Sequence, residues 1–141
     1  MIYLDTSALV KLFAREDFSD ELREAVRGQA VRTASIAFVE ALSAFARKAE
    51  FTEAERVALN REFLATWHRF RAVPTDDVLE AAGVLVRGHR LRAFDALHLA
   101  AARSLGAPSR IRFAVYDREL ARAAAKEGFG LITDPGFGLP S

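Results

Sequence analysis

The chain opens on a run of apolar, β-favouring residues, Ile2-Tyr3-Leu4, that stops at a carboxylate, Asp5. Thr6 and Ser7 follow, residues able to cap a helix, and Ala8, Leu9, Val10, Leu12 and Phe13 then recur at helical spacing. The same pattern predicts a helix over Ser19–Arg27 closed by Gly28, and a short strand over Val31–Ala34. A long helix from Ser35 to about Ala49 follows, with Val39, Leu42 and Ala46 on one face. Thr52 and Glu55 have capping-box spacing and open a helix reaching Trp67–Phe70. Ala72-Val73 reads as a strand stub before Pro74, and Thr75 caps a helix to Arg87 closed by Gly88. Ala93–Leu105 reads as a helix closed by Gly106, Ile111–Tyr116 as a strand, Arg118–Lys126 as a helix closed by Gly128, and Leu131–Thr133 as the last strand.

Strands that alternate with helices, singly or in pairs, need crossover connections. The fold class expected is therefore α/β, a three-layer arrangement with a central, mostly parallel sheet flanked by helices. The length of 141 residues and 51% hydrophobic content suit one domain over 1–141, with 134–141 an irregular tail. No internal repeat or linker interrupts it. The absence of cysteine excludes disulfides, thiolate metal sites and cysteine catalysis. Asp5 breaks the first apolar run and no stretch approaches ~20 apolar residues, so neither a leader nor a membrane span is expected, and a cytoplasmic location is. The net charge is only +1, but the cations are uneven: three are lysines (Lys11, Lys48, Lys126) and the other 17 of 20 are arginines. Arginine's planar fork suits phosphate, although codon bias produces the same count.

Most of the 19 acids sit in polar company and read as solvated helix faces. Four do not. Asp5 and Asp117 each end a strand, and in an open parallel sheet the ligand crevice lies beyond the carboxyl ends of the strands. Each could equally be a charge at a helix N-terminus. Glu40 is the only charge in Ile36-Ala-Phe-Val-Glu-Ala-Leu42, and Asp95 stands alone in Ala93-Phe-Asp-Ala-Leu-His-Leu99; a buried pairing with an arginine is the alternative for both. Gathered in one place, four carboxylates repel and raise one another's pKa unless a cation neutralises them. A cluster with oxygen donors alone suits a hard divalent ion, Mg²⁺ or Mn²⁺, with two acids as direct ligands and two acting through water. Such a site can generate a hydroxide nucleophile and neutralise a phosphodiester.

The strings LDTSALVK, SIAFVEALSAFAR, RAFDALHLAAA and VYDREL, in that order and at that spacing, resemble PIN-domain proteins, and most of all the VapC-type toxins of toxin–antitoxin pairs. The resemblance covers about Met1 to Thr133. It implies that Asp5, Glu40, Asp95 and Asp117 are the family's acidic quartet, and that Thr6 is the hydroxyl that helps order the site. It also implies an Mg²⁺- or Mn²⁺-dependent endoribonuclease that cuts transfer or ribosomal RNA, forms a homodimer, and is silenced by a cognate VapB-like antitoxin. Many relatives carry Ser or Thr two residues before the fourth acid; here that position is Val115.

Other residues admit plainer readings. His98, at i+3 from Asp95, either touches substrate or packs structurally, and packing is the simpler role. Arg87, Arg90 and Arg92 before Asp95, and Arg110, Arg112, Arg118 and Arg122 around Asp117, are either a phosphate-positioning rim or a solvated surface. Phe38, Phe45, Phe63 and Trp67 recur at helical spacing and read as core or dimer contacts. An aspartyl phosphotransferase with Asp5 as nucleophile is disfavoured by Ser7 and by the lack of a downstream lysine beyond Lys126. A non-catalytic RNA- or protein-binding module is the remaining alternative to the nuclease.

Overall fold

A computed structural model describes residues 1–140; the last residue of the 134–141 tail lies outside them. Four strands, β1 (Ile2–Leu4), β2 (Val31–Arg32), β3 (Arg112–Ala114) and β4 (Gly130–Ile132), form one sheet in the order β2-β1-β3-β4, and every pairing is parallel. Side chains alternate across it. Ile2, Leu4, Ala114 and Ile132 point into one apolar core; Tyr3, Phe113, Val115 and Leu131 point into the other. The first core is roofed by α1 (Thr6–Phe13), α2 (Ser19–Val26), α3 (Ala37–Ala46) and α4 (Glu53–Thr66). The second is roofed by α5 (Leu79–His89), α6 (Ala93–Ser104) and α7 (Arg118–Lys126). Both faces are therefore buried, as an all-parallel sheet requires, and the three-layer α/β expectation holds. Among the described residues, no helix is long and apolar enough to cross a membrane.

Local signals set several boundaries. Thr52 accepts from the Glu55 amide and Glu55 reaches back to the Thr52 amide, which is the expected capping box. Gly106 and Gly128 take φ of 145° and 94° just beyond α6 and α7, where a side chain would be strained. Phe45 and Phe63 are fully buried in an aromatic cluster with Phe13, Phe38, Trp67 and Phe70, which resolves them as core.

Other boundaries move. The strand expected over Val31–Ala34 pairs with β1 only at Val31 and Arg32, and Ala34 instead makes an isolated bridge to Val73. That bridge holds Ser35: its amide donates to the Val73 carbonyl and its hydroxyl bonds Thr75. The third helix consequently starts at Ala37 and stops at Ala46, shorter at both ends than expected. Thr75 opens a 3-10 turn rather than α5 itself, and Gly88 stays helical while Arg90, at φ 56°, ends the helix. The third strand stops at Ala114, two residues short of expectation.

Candidate active site

The order β2-β1-β3-β4 places the reversal of strand order between β1 and β3. The chain leaves β1 in one direction to build β2 and returns on the other side of β1 to build β3. A crevice opens beyond the carboxyl ends of these two strands. Asp5 directly follows β1, and Asp117 follows β3 by three residues.

Asp5 is itself the cap of α1, a role expected of Thr6 and Ser7. Its Oδ1 accepts from the Ala8 amide at 2.9 Å and from the Ser7 hydroxyl at 2.6 Å. Ser7 Oγ in turn accepts from the Tyr116 amide at 2.8 Å, which ties the end of β1 to the segment after β3. The side chain is almost wholly buried, and burial pushes its pKa up to about 6. His98 and the bonds from Ser7 and Ala8 oppose that rise, and the charge of Asp95 adds to it.

Glu40 sits in the first turn of α3, not deep in the helix, because α3 starts late. Its Oε1 accepts from Thr6 Oγ1 at 2.6 Å and meets His98 Nε2 at 2.9 Å. Burial acts to raise this carboxyl, but the bonds from His98 and Thr6 outweigh it and hold the pKa below the ordinary range. His98 is 2% exposed, and its Nδ1 lies 2.8 Å from the hydroxyl of the fully buried Tyr3. A hydrogen on Nε2 satisfies the set: Tyr3 O–H donates to Nδ1, and Nε2–H donates to Glu40. Tyr3, on β1, thus positions Glu40, on α3, through a histidine of α6.

Asp95 lies in the first turn of α6. Burial and then the charge of Asp117 raise its pKa, and Arg92 opposes them. Asp117 caps α7 through the Leu120 amide at 2.9 Å. The Arg92 guanidinium bridges the pair, 3.2 Å from Asp95 Oδ2 and 3.3 Å from Asp117 Oδ2. Glu40, Asp95, Arg92, Ala93 and the half-exposed Phe94 line a cavity of about 270 Å³.

All five expected site residues are thereby placed at one end of the sheet. Thr6 and Glu40 are hydrogen-bonded; Asp5, Asp95 and Asp117 are linked by mutual charge effects. Among the described residues, no three acid or histidine side chains stand together closely enough to enclose an ion. The donors are all carboxylate and hydroxyl oxygens, which suits a hard cation that binds one or two carboxylates and keeps its waters. Asp5 and Asp95, with raised pKa values, are the acids a cation would relieve most.

The residues that sequence reasoning undervalued are those that act through another side chain. His98, for which packing is the simpler of two expectations, packs and also bonds two site residues, Thr6 and Glu40. Its i+3 spacing from Asp95 was the available signal. Ser7 offered only its capping hydroxyl as a signal, and Tyr3 offered none. Of the candidate arginine rim, Arg92 alone touches the acids. Arg110 and Arg112 stand at the start of β3, the far end of the sheet, while Arg122 pairs with Glu119 and Arg118 lies over Phe137.

The model of the PIN domain matches residues 2–126. The chain is 37% identical to Ribonuclease VapC49 of Mycobacterium tuberculosis over 133 residues, covering 91% of this chain and 92% of that one. Ribonuclease VapC46 of the same species is 37% identical over 132 residues, with 93% and 95% covered. FitAcB from Neisseria gonorrhoeae superposes with a TM-score of 0.67 at 16% identity, covering 96% of this chain and 99% of that one. VapBC2 from Rickettsia felis, bound to promoter DNA, gives 0.63 at 13% identity, with 95% and 99% covered.

Proposed function

The chain belongs to the PIN-domain family, and from that premise we propose that it is a divalent-metal-dependent endoribonuclease, the toxin of a VapBC-type pair. Its substrate is a structured RNA, transfer or ribosomal, met in the cytoplasm. It works as a homodimer, and a VapB-like antitoxin silences it. The ribonuclease names of the relatives support the activity, and the toxin–antitoxin complexes among the structural neighbours support the partner.

The observation that carries the reading is the row of carboxylates at the point where strand order reverses, with Asp5 buried and its pKa raised to about 6. An acid held so far from comfort is explained if a cation normally faces it. Asp5 and Asp95 are the direct ligands in this reading, with Glu40 and Asp117 acting through water. A bound Mg²⁺ or Mn²⁺ supplies charge neutralisation at the phosphodiester and a water acidic enough to attack at neutral pH. The chain's own residues do the positioning. Thr6 and His98 both bond Glu40 Oε1, which keeps Glu40 ionised and leaves Oε2 to orient a water. Ser7 and the Ala8 amide fix Asp5 Oδ1, so its second oxygen alone is left to turn outward.

The test is cleavage of total RNA by the purified protein in Mg²⁺ or Mn²⁺, with mapping of the new ends. Asp95→Asn is expected to abolish cleavage with the circular dichroism spectrum unchanged, and EDTA to stop the wild type. Full activity in Asp95→Asn overturns the acidic site. A non-catalytic RNA- or protein-binding module is favoured by one observation, that Arg92 already supplies a cation to Asp95 and Asp117. Tight RNA binding without turnover, indifferent to EDTA, is its signature.

A further inference from the structure

A second cavity, of about 470 Å³, adjoins the acids. Thr6 and Ser7 form the shared wall: both line this cavity, while their hydroxyls donate to Glu40 and Asp5. Val10, Ala44 and the Tyr116 ring supply apolar lining, and the charged lining is mostly cationic. Lys11, Arg47 and Lys48 face it together with a single carboxylate, Glu16. Lys11 is only 9% exposed; its ammonium lies 3.6 Å from Glu16 and 4.7 Å from the centre of the Tyr116 ring, whose face attracts it. Lys48 pairs with the same Glu16 and stands 3.8 Å from the exposed Glu50, outside the cavity lining. Arg47 is exposed and has no acid partner among the described residues. The part-buried Glu16 is shared by two lysines, one of which also meets Glu50 outside the cavity, and a third cation stands free at the rim. The wall thus carries surplus positive charge directly beside a site whose own charge is negative.

We propose that this cavity is a phosphate subsite: it receives the backbone phosphate next to the one being cut, held by Arg47 with Lys11 and Lys48 behind it. The inference rests on the nuclease reading above and adds to it a strand path, running from the acids over Thr6 and Ser7 toward α3. A phosphodiester at the acids carries its neighbouring phosphate one nucleotide away, and a cationic surface contiguous with the site attracts that charge. Arg47 offers a bidentate fork to it, free of any competing acid.

The test is fluorescence anisotropy of a labelled 12-nucleotide single-stranded RNA in EDTA, so that binding is read apart from cleavage. Each phosphate contact on a single strand adds about 0.7 to the slope of log K against log salt, which at 0.1 M salt is about fivefold in affinity. Arg47→Ala is therefore expected to raise Kd about fivefold and flatten the slope by about 0.7, with Arg47→Lys recovering most of both. Arg69→Ala is the control. Arg69 lines a cavity with Met1, at the opposite end of β1, and its variant is expected to bind within twofold of wild type. An unchanged Kd and slope for Arg47→Ala overturn the subsite and leave the nuclease reading standing. Loss of affinity in Arg47→Ala, in a protein that never cleaves RNA, overturns the nuclease and with it the place of this phosphate beside a scissile one, leaving Arg47 as a contact of an RNA-binding module.

Discussion

Asp5→Asn isolates the electrostatic stress at the centre of the site. Asparagine keeps an oxygen for the Ser7 hydroxyl and the Ala8 amide, and it caps a helix as well as aspartate does. What disappears is the charge. The folded state raises the Asp5 pKa from 3.8 to about 6, so folding disfavours the carboxylate. The cost to the wild type is absent while the carboxyl is protonated in both states, below about pH 4. It grows as pH rises from the unfolded value toward the folded one, and is complete above about pH 6. About two pH units at 1.36 kcal/mol each make it about 3 kcal/mol. Urea unfolding in EDTA across pH 4 to 8 is the assay. The variant should be about 3 kcal/mol more stable than wild type at the alkaline end and equal to it at the acid end. Added Mg²⁺ should then reverse the order, because ligand bound only to the folded wild type stabilises it by mass action. A variant no more stable than wild type at neutral pH, or a difference indifferent to pH, would refute the argument that Asp5 is held charged against its environment.

Two further outcomes follow from the same packing. His98→Leu removes one of the two bonds that hold the Glu40 carboxyl low and also the effect of His98 that restrains the rise at Asp5 and Asp95, so the acidic limb of the cleavage profile moves up; an unmoved limb with merely reduced rate would assign His98 to packing alone. Phe63→Ala empties the centre of the aromatic cluster between α1, α3 and α4 and should cost about 3–5 kcal/mol in chemical unfolding, with residual folded protein still able to cleave.

What could be read along the chain was whatever depends on neighbours in sequence. The period of Ala8 to Phe13, the Thr52–Glu55 box, and Gly106 and Gly128 are local devices, and the elements they mark are present. The lone charges were legible for a related reason: Glu40 and Asp95 break apolar runs, and burying an unpartnered acid costs too much to be casual. Boundaries that depend on a partner strand were not. The strand over Val31–Ala34 shrank to two residues because the next residue turns away from β1: the Thr33 hydroxyl donates to the Leu4 carbonyl and the Thr33 carbonyl accepts from the Val73 amide, while Ser35 is drawn out of the helix by the Ala34–Val73 bridge.

The sequence by itself determined that this is an α/β chain, that four acids stand where acids are costly, and which family they resemble. The tertiary structure alone decided how those acids are held. Strand order, set by contacts between residues more than a hundred positions apart, puts the ends of β1 and β3 side by side. That placement lets Ser7 bond the Tyr116 amide, Tyr3 steady Glu40 through His98, and Arg92 span Asp95 and Asp117. Hydrogen bonds and charge act over a few ångströms of space, whatever the separation along the chain, and only the fold sets those distances.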